Sequence, residues 1–191
     1  GECVSTLPAH SDPVTSVHWN RDGTTICSAS HDGLIRLWDT ATSECLKTIY
    51  AAGNPPVSSC RFSPNSKYIL AGTLDSTLRL WPVTVSGKNC CAKTYKDEHF
   101  VNTKYSIVAD FTHTGDVVVG SETGDVVIFD ANTRKVNQVL KGHEDAVLAV
   151  SAHDNKPLIA TGAMTNDRRV EFWSHDVLPT GGGSPKRRTS T

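Results

Sequence analysis

Apolar residues along this chain alternate with polar ones in short runs and never hold a 3.6-residue period over three turns, so strands are expected and helices are not. The first unit reads V-T-S-V-H-W (14–19), T-I-C-S-A-S (25–30) and L-I-R-L-W (34–38), all rich in β-branched and aromatic residues. R-D-G (21–23) and H-D-G (31–33) separate these runs with residues suited to tight turns. A β-meander is the direct reading. The scheme continues with P-N-S (64–66), L-D-S (74–76), T-G-D (114–116) and T-G-D (123–125) as breakers.

The pattern also repeats over a longer distance. I-R-L-W-D (35–39), L-R-L-W-P (78–82), V-V-I-F-D (126–130) and V-E-F-W-S (170–174) each place an aromatic residue after an alternating run. Trp38, Trp81, Phe129 and Trp173 are separated by 43, 48 and 44 positions. A period of roughly 40–45 residues, each built from several short strands, is that of a WD repeat, and four such units fill almost the whole chain.

These units resemble the WD-repeat family in named residues as well as in period. Family members join a histidine before the first strand, a serine or threonine in the second, an aspartate in the next turn and a tryptophan in the third. The matching residues are His10, Ser28 or Ser30, Asp32 and Trp38 in the first repeat, and His143, after Gly142, with Thr161, Asp167 and Trp173 in the fourth. Donor and acceptor types explain the set: the indole N–H can only donate, the hydroxyl accepts from it and donates to imidazole, and imidazole donates its other N–H to a carboxylate. The histidines and aspartates recur at the repeat period, which argues for locking of the fold rather than catalysis or metal binding. The second repeat keeps Asp75 and Trp81 but has Ala51, Ala52 and Gly53 at the histidine position. The third has Thr123 at the turn aspartate, Phe129 at the tryptophan and His99 as its candidate histidine, so looser polar locks are expected in both.

The resemblance implies an all-β β-propeller of four WD-type blades over residues 1–177. The repeats fall at about 8–41, 50–84, 95–132 and 141–176, before a disordered basic tail at 178–191. Within the family, L-P-A-H-S-D-P-V (7–14), N-R-D-G (20–23), E-C-L-K-T (44–48), N-P-P-V-S (54–58), F-S-P-N-S-K-Y-I-L (62–70) and T-L-D-S-T-L-R-L-W (73–81) are similar to the WD-repeat subunit shared by COMPASS-type histone methyltransferase complexes. The similarity runs from residue 1 to about 175 and corresponds to the C-terminal four blades of a seven-bladed ring. It implies a central channel that takes an arginine side chain from a histone tail or partner subunit, at Thr15, His31, Tyr105, Ser106 and Leu148. Val108 and His31 stand where that relative has aromatic residues. It also implies a groove at the opposite side for an apolar and acidic partner peptide, at Asn65, Tyr68, Leu80, Phe111 and Asn132.

In these propellers each outer strand comes from the start of the next repeat, and the N-terminus completes the last blade. E-C-V-S-T-L (2–7) reads as such an outer strand, which makes sixteen strands. Four blades of seven-fold shape imply an open arc whose unpaired edges and apolar faces invite self-association. Pairing of two chains into an eight-bladed ring is one outcome of that reading.

Composition narrows the partners. A net charge of −1 gives no general attraction to nucleic acid or anionic lipid. Without Lys186, Arg187 and Arg188 the remainder carries −4, which suits basic partners such as histone tails. The six cysteines include no C-x-x-C pair, and the sequence shows no N-x-S/T sequon and no secretory pattern, which favours a reducing, intracellular setting; vicinal Cys90 and Cys91, without a thiolate-stabilising context, read as ordinary thiols. No apolar run approaches the ~20 residues that cross a bilayer as a helix. Lys186–Arg188 reads as a nuclear-import signal and Ser184-Pro185 as a phosphorylation site; nuclear residence is expected, with cytoplasmic residence also compatible. No cofactor or enzyme motif is present: G-x-S-x-G, the phosphate-binding G-x-x-x-x-G-K and H-E-x-x-H are all missing. The chain is therefore expected to be a non-catalytic scaffold for protein partners, either in a histone methyltransferase complex or as an adaptor in another assembly. A truncated copy without independent function is the third expectation.

Overall fold

The computed structural model describes residues 1–84 and 90–174. Among them lie fifteen strands, no helix and four antiparallel sheets. The first sheet runs β1 (Val14–Trp19), β2 (Thr25–Ser30), β3 (Leu34–Asp39) and β4 (Cys45–Tyr50) in spatial order. The second holds β5 (Val57–Phe62), β6 (Tyr68–Thr73), β7 (Thr77–Pro82) and β8 (Lys93–Tyr95). The third is β9 (Ala109–Phe111), β10 (Val117–Gly120), β11 (Asp125–Phe129) and β12 (Val136–Lys141), and the fourth β13 (Val147–Ala152), β14 (Leu158–Ala163) and β15 (Val170–Ser174). Each is a meander because connections of three to six residues, and one of ten between β7 and β8, leave an antiparallel neighbour as the nearest pairing partner.

The inner strands gather together. β5 packs on β1 and β2, β9 on β5 and β6, and β13 on β9 and β10, so successive sheets fan around their first strands as blades of a partial β-propeller. The core is correspondingly divided into three slabs between blades. Cys27, Ile35, Leu37 and Ile49 of blade 1 meet Cys60, Phe62, Ile69 and Trp81 of blade 2. Leu70, Leu78 and Tyr95 meet Ala109, Val117, Val119 and Phe129, and Val118 and Val126 meet Val147 and Val150. Strand alternation sends each blade's even and odd residues into different slabs, and each fully buried aliphatic or aromatic side chain contributes ~1.5–3 kcal/mol. Gly33 sits at φ +82°, and a Cβ there would come 2.7 Å from the Asn54 carbonyl oxygen, so this turn presses against the loop entering blade 2.

Polar locks differ among blades. In blade 1, Trp38 Nε1 donates to Ser28 Oγ (2.9 Å), Ser28 Oγ lies 2.8 Å from His10 Nε2, and His10 Nδ1 lies 3.0 Å from Asp32 Oδ2. Blade 4 has the same chain, with Trp173 to Thr161 at 2.8 Å, Thr161 to His143 at 2.8 Å and His143 to Asp167 at 2.6 Å. The Arg169 guanidinium beside Asp167 holds its carboxyl far below the usual range, against burial and together with the Glu144 N–H and His143. Blade 2 is not loose. Arg79 donates to Asp75 Oδ2 at 2.7 Å and to Thr73 Oγ1 at 2.5 Å, and Thr73 Oγ1 donates to Asp75, so a guanidinium stands in for the missing imidazole. In blade 3 His99 faces Asp125 at 3.4 Å, while Thr123 bonds to Ser121 at 2.9 Å and buried Phe129 packs edge-on to Phe100.

One expectation about closure is corrected. Residues 2–7 form no strand, and blade 4 has three strands among the described residues. Packing runs from blade 1 to blade 4 in order, with no comparable packing between first and last, so the N-terminal segment lies at one end of the arc and the open edge at the other. The segment instead stays beside its own blade, with Ser5 Oγ 3.1 Å from Ser43 Oγ. The arc therefore holds fifteen described strands rather than sixteen. The tail at 178–191 lies outside the described residues, as does part of the segment leading to Cys90 and Cys91.

Candidate functional site

The antiparallel register separates the candidate residues into two groups at opposite ends of the arc. Starts of inner strands and the turns at 31–33, 74–76 and 122–124 share one end. There, three inner strands carry a bulge at equivalent places, between Val14 and Ser16, Val57 and Ser59, and Val147 and Ala149. A bulge re-aims the extra side chain out of the pleat. The three extra residues are Thr15, Ser58 and Leu148, two of them on the channel list and one, Ser58, not recognised from the sequence.

At this end Thr15 Oγ1 donates to the Val57 carbonyl (2.8 Å), and His31 N donates to the Pro13 carbonyl (3.2 Å). Tyr105 and Leu148 pack against one apolar cluster, and Val108 N donates to the Leu148 carbonyl at 3.0 Å. Thr15 and His31 belong to blade 1, two blades before the loop that carries Tyr105 and three before Leu148, while Ser106 is exposed on the loop that enters β9. The loop's shape comes from Glu122. Its Oε1 accepts from the N–H groups of Thr103, Lys104 and Tyr105 at 2.8, 2.6 and 3.0 Å, and Oε2 accepts from the Thr103 hydroxyl at 2.7 Å. Burial pushes this carboxyl up, but those donors outweigh it and hold it below the ordinary glutamate range. Lys104 Nζ sits 4.8 Å from the centre of the Tyr105 ring, so a cation from the chain itself already covers that face. Val108 is exposed, and none of the aromatic ring pairs among the described residues includes Tyr105.

At the other end the structure brings three groove residues together. Tyr68 opens β6, Leu80 lies near the end of β7, and Phe111 closes β9, and all three contact one cluster at the junction of blades 2 and 3. Asn65 occupies the β5–β6 turn, where its Oδ1 accepts from Ser63 Oγ (2.7 Å) and Lys67 N (3.0 Å), leaving its amide donors for a ligand. Asn132 is exposed in the β11–β12 turn beside Ala131, whose carbonyl accepts from Lys93 Nζ (2.6 Å) and Tyr95 OH (3.2 Å). Burial and the nearby Asp130 carboxylate push the Tyr95 hydroxyl up to about 12, so it remains a donor to that carbonyl at neutral pH. Close by, Arg61 NH1 pairs with Asp110 Oδ1 at 2.7 Å across blades 2 and 3, and Asp110 Oδ2 accepts from Ala152 N of blade 4 at 2.9 Å. Sequence reasoning missed this relay; the only signal was an opposite charge at one position of successive inner strands. Among the described residues no cluster of three or more metal-ligating side chains occurs.

Comparison with known proteins follows the same outline. The family model described as "WD domain, G-beta repeat" matches residues 1–39, 43–82 and 134–174. The second and third matched units open on the outer strand of the preceding blade, β4 and β12, before running into an inner strand, and the interval skipped between them contains the third blade's altered Thr123 and Phe129. COMPASS component SWD3 of Saccharomyces cerevisiae is 30% identical over 192 residues, covering 91% of this chain and 59% of that protein. Angio-associated migratory cell protein of Homo sapiens is 28% identical over 167 residues, covering 86% of this chain and 36% of that protein. The chain thus spans less than two thirds of the length of either relative.

Proposed function

Since the chain belongs to the WD-repeat family, we propose that it is a non-catalytic scaffold of a nuclear histone methyltransferase assembly of the COMPASS kind, holding partner peptides at the ends of its blades. The observation that carries the reading is the convergence of Tyr68, Leu80 and Phe111 on one cluster, with Asn65 and Asn132 in turns at the same end. An apolar cleft flanked by amide groups suits an extended peptide: the side chains fill the cleft and the amides bond its backbone. The similarity to a COMPASS component gives the assembly, and the acidic propeller suits basic histone segments.

The channel end takes a lesser part. Tyr105 supplies one ring face, already covered by Lys104, so an arginine side chain must displace that ammonium and is held without a second ring. This same observation favours a second reading, an adaptor in a different assembly whose partner does not use arginine insertion.

Capture of the tagged chain from nuclei separates these readings. Subunits of a histone methyltransferase complex should co-purify, and Phe111→Arg should deplete them at least about tenfold while Tyr105→Ala changes their recovery less than about threefold. Recovery of an unrelated partner set, or equal recovery with Phe111→Arg, would refute the proposal.

A further inference from the structure

One blade junction is built differently from the other two. Between blades 2 and 3 the third residue from the end of the inner strand is Ala109, and the middle strand of the preceding blade sends Leu70 into the same buried cluster. Between blades 3 and 4 the equivalent places hold Val150 and Val118. Between blades 1 and 2 both are cysteine. Cys27 stands between His18 and Leu37 in its sheet, as Leu70 stands between Arg61 and Leu80 and Val118 between Asp110 and Ile128.

Cys27 of β2 and Cys60 of β5 are 33 positions apart in the chain, yet their sulfurs lie 3.4 Å from each other. Both are buried, in a cluster that includes Leu37, Ile49, Phe62, Ile69 and Trp81. A single thiol there would pack as a small hydrophobe. Two thiols in contact across a junction can also bond, because a disulfide of ~2.05 Å asks for about 1.4 Å of approach, shared between two side chains and two sheets. Among the described residues no group of three or more histidines, cysteines and carboxylates forms a metal set, which leaves sulfur-to-sulfur bonding as the chemistry open to this pair.

We propose that Cys27 and Cys60 are a site of oxidative modification, joined by a peroxide into a reversible disulfide that clamps blade 1 to blade 2. One sulfur gives up its proton and attacks the peroxide. The O–O bond breaks, an S–O bond forms, and the hydroxide released takes the proton to become water, leaving a sulfenic acid. The second sulfur then attacks the first, the S–O bond breaks as the S–S bond forms, and its proton leaves in a second water. Two thiols are thus oxidised by two electrons while one peroxide is reduced to two waters, and a thiol reductant reverses the bond. So small an oxidant enters the junction on brief local opening. The reaction is slow, because its bond to Cys27 and its burial push the Cys60 thiol well above the ordinary cysteine range.

The test treats the folded 191-residue chain with hydrogen peroxide, blocks the remaining thiols by alkylation and maps the unreduced peptides by mass. A peptide pair joined through Cys27 and Cys60 is expected, distinct from any product of exposed Cys3 and Cys45 or half-buried Cys90 and Cys91. In a chain carrying Cys3→Ser, Cys45→Ser, Cys90→Ser and Cys91→Ser, the intact mass should fall by two hydrogens. Its melting temperature should rise by at least about 5 °C, because the cross-link restricts the unfolded chain, and should return with dithiothreitol. Adding Cys60→Val, which copies the aliphatic residues of the other junctions, should abolish the rise. Both thiols still free after peroxide, added oxygen on either sulfur without a cross-link, or a disulfide that forms only in denaturant would each overturn the proposal. A cross-linked chain that melts no higher than the reduced one, or a rise that persists with Cys60→Val, would do the same.

Discussion

Thr161→Val tests whether the polar chain in blade 4 is a cooperative lock or an incidental set of contacts. The side chain lies buried in the middle of β14, where its hydroxyl accepts from Trp173 Nε1 and lies within donating distance of His143 Nε2, both at 2.8 Å. Valine has nearly the same shape, so the change removes hydrogen bonding rather than volume. Two partners then lose their bond. Each buried polar group left unpaired costs about 1–3 kcal/mol, and because Trp173 is partly exposed its N–H recovers some of that from water. The expected loss is therefore ~2–4 kcal/mol, on the order of 10 °C in melting temperature for a chain of this size. Far-ultraviolet dichroism and tryptophan fluorescence should follow the melt together. Thr161→Ser keeps the hydroxyl and should cost about 1 kcal/mol or less. Trp173→Phe added to the valine variant should cost less than it does alone, because the donor it removes is already orphaned. The reasoning fails if the valine variant melts within about 1 °C of the parent, or if serine is as damaging as valine.

Two further outcomes follow from the locks in the other blades. Arg79→Met leaves Asp75 and Thr73 without their guanidinium and should lower stability by about 1–3 kcal/mol in chemical denaturation, whereas an unchanged midpoint would mean the pair is decorative. Asp32, Asp75, Asp167 and Glu122 are all held below their ordinary range in the folded chain. Depressed carboxyls stabilise fully above their unfolded values near 4 and lose that contribution as pH falls through the folded ones, so melting temperature should drop progressively below about pH 4. A melting temperature that rises between about pH 5 and pH 3 would contradict the assignment.

The fold was legible because strand formation here depends on alternation within five or six residues and on turn chemistry at fixed intervals, both written locally. V-T-S-V-H-W reads as a strand from its own residues, and it spans β1 from Val14 to Trp19. E-C-V-S-T-L reads equally well, yet forms no strand, because pairing is a property of two segments and none of the described strands pairs with it. Similar logic separates the locks. The residues of the blade 1 and blade 4 tetrads could be named because four residue types recur at one spacing. Arg79 could not, since its role appears only when Thr73 and Asp75 fall beside it across the β6–β7 turn. Of the candidate site, the groove residues share an end of the arc because they flank the same kind of turn. Glu122 was invisible as the anchor of the Tyr105 loop, because one carboxylate collecting three successive N–H groups depends on loop geometry that no spacing encodes.

The division of the core between blades, rather than within them, explains why such different locks coexist. Each sheet is two faces thin, and its apolar residues are satisfied only by the next sheet, so stability is close to a sum over neighbouring junctions. Blade 3 shows this most clearly: with phenylalanine at the tryptophan position and no aspartate at residue 123, it remains four-stranded because Val117, Val119, Val127 and Phe129 are fully buried against blade 2 and Val118 and Val126 against blade 4. A lock therefore fixes how a turn sits on its blade and does not decide whether the blade forms. The turns carry the ends of the arc, and there a guanidinium, an imidazole or a glutamate clamp sets which side chains are presented. Variation in the locks thus changes the surface at the ends of the arc while the junctions beneath it stay packed.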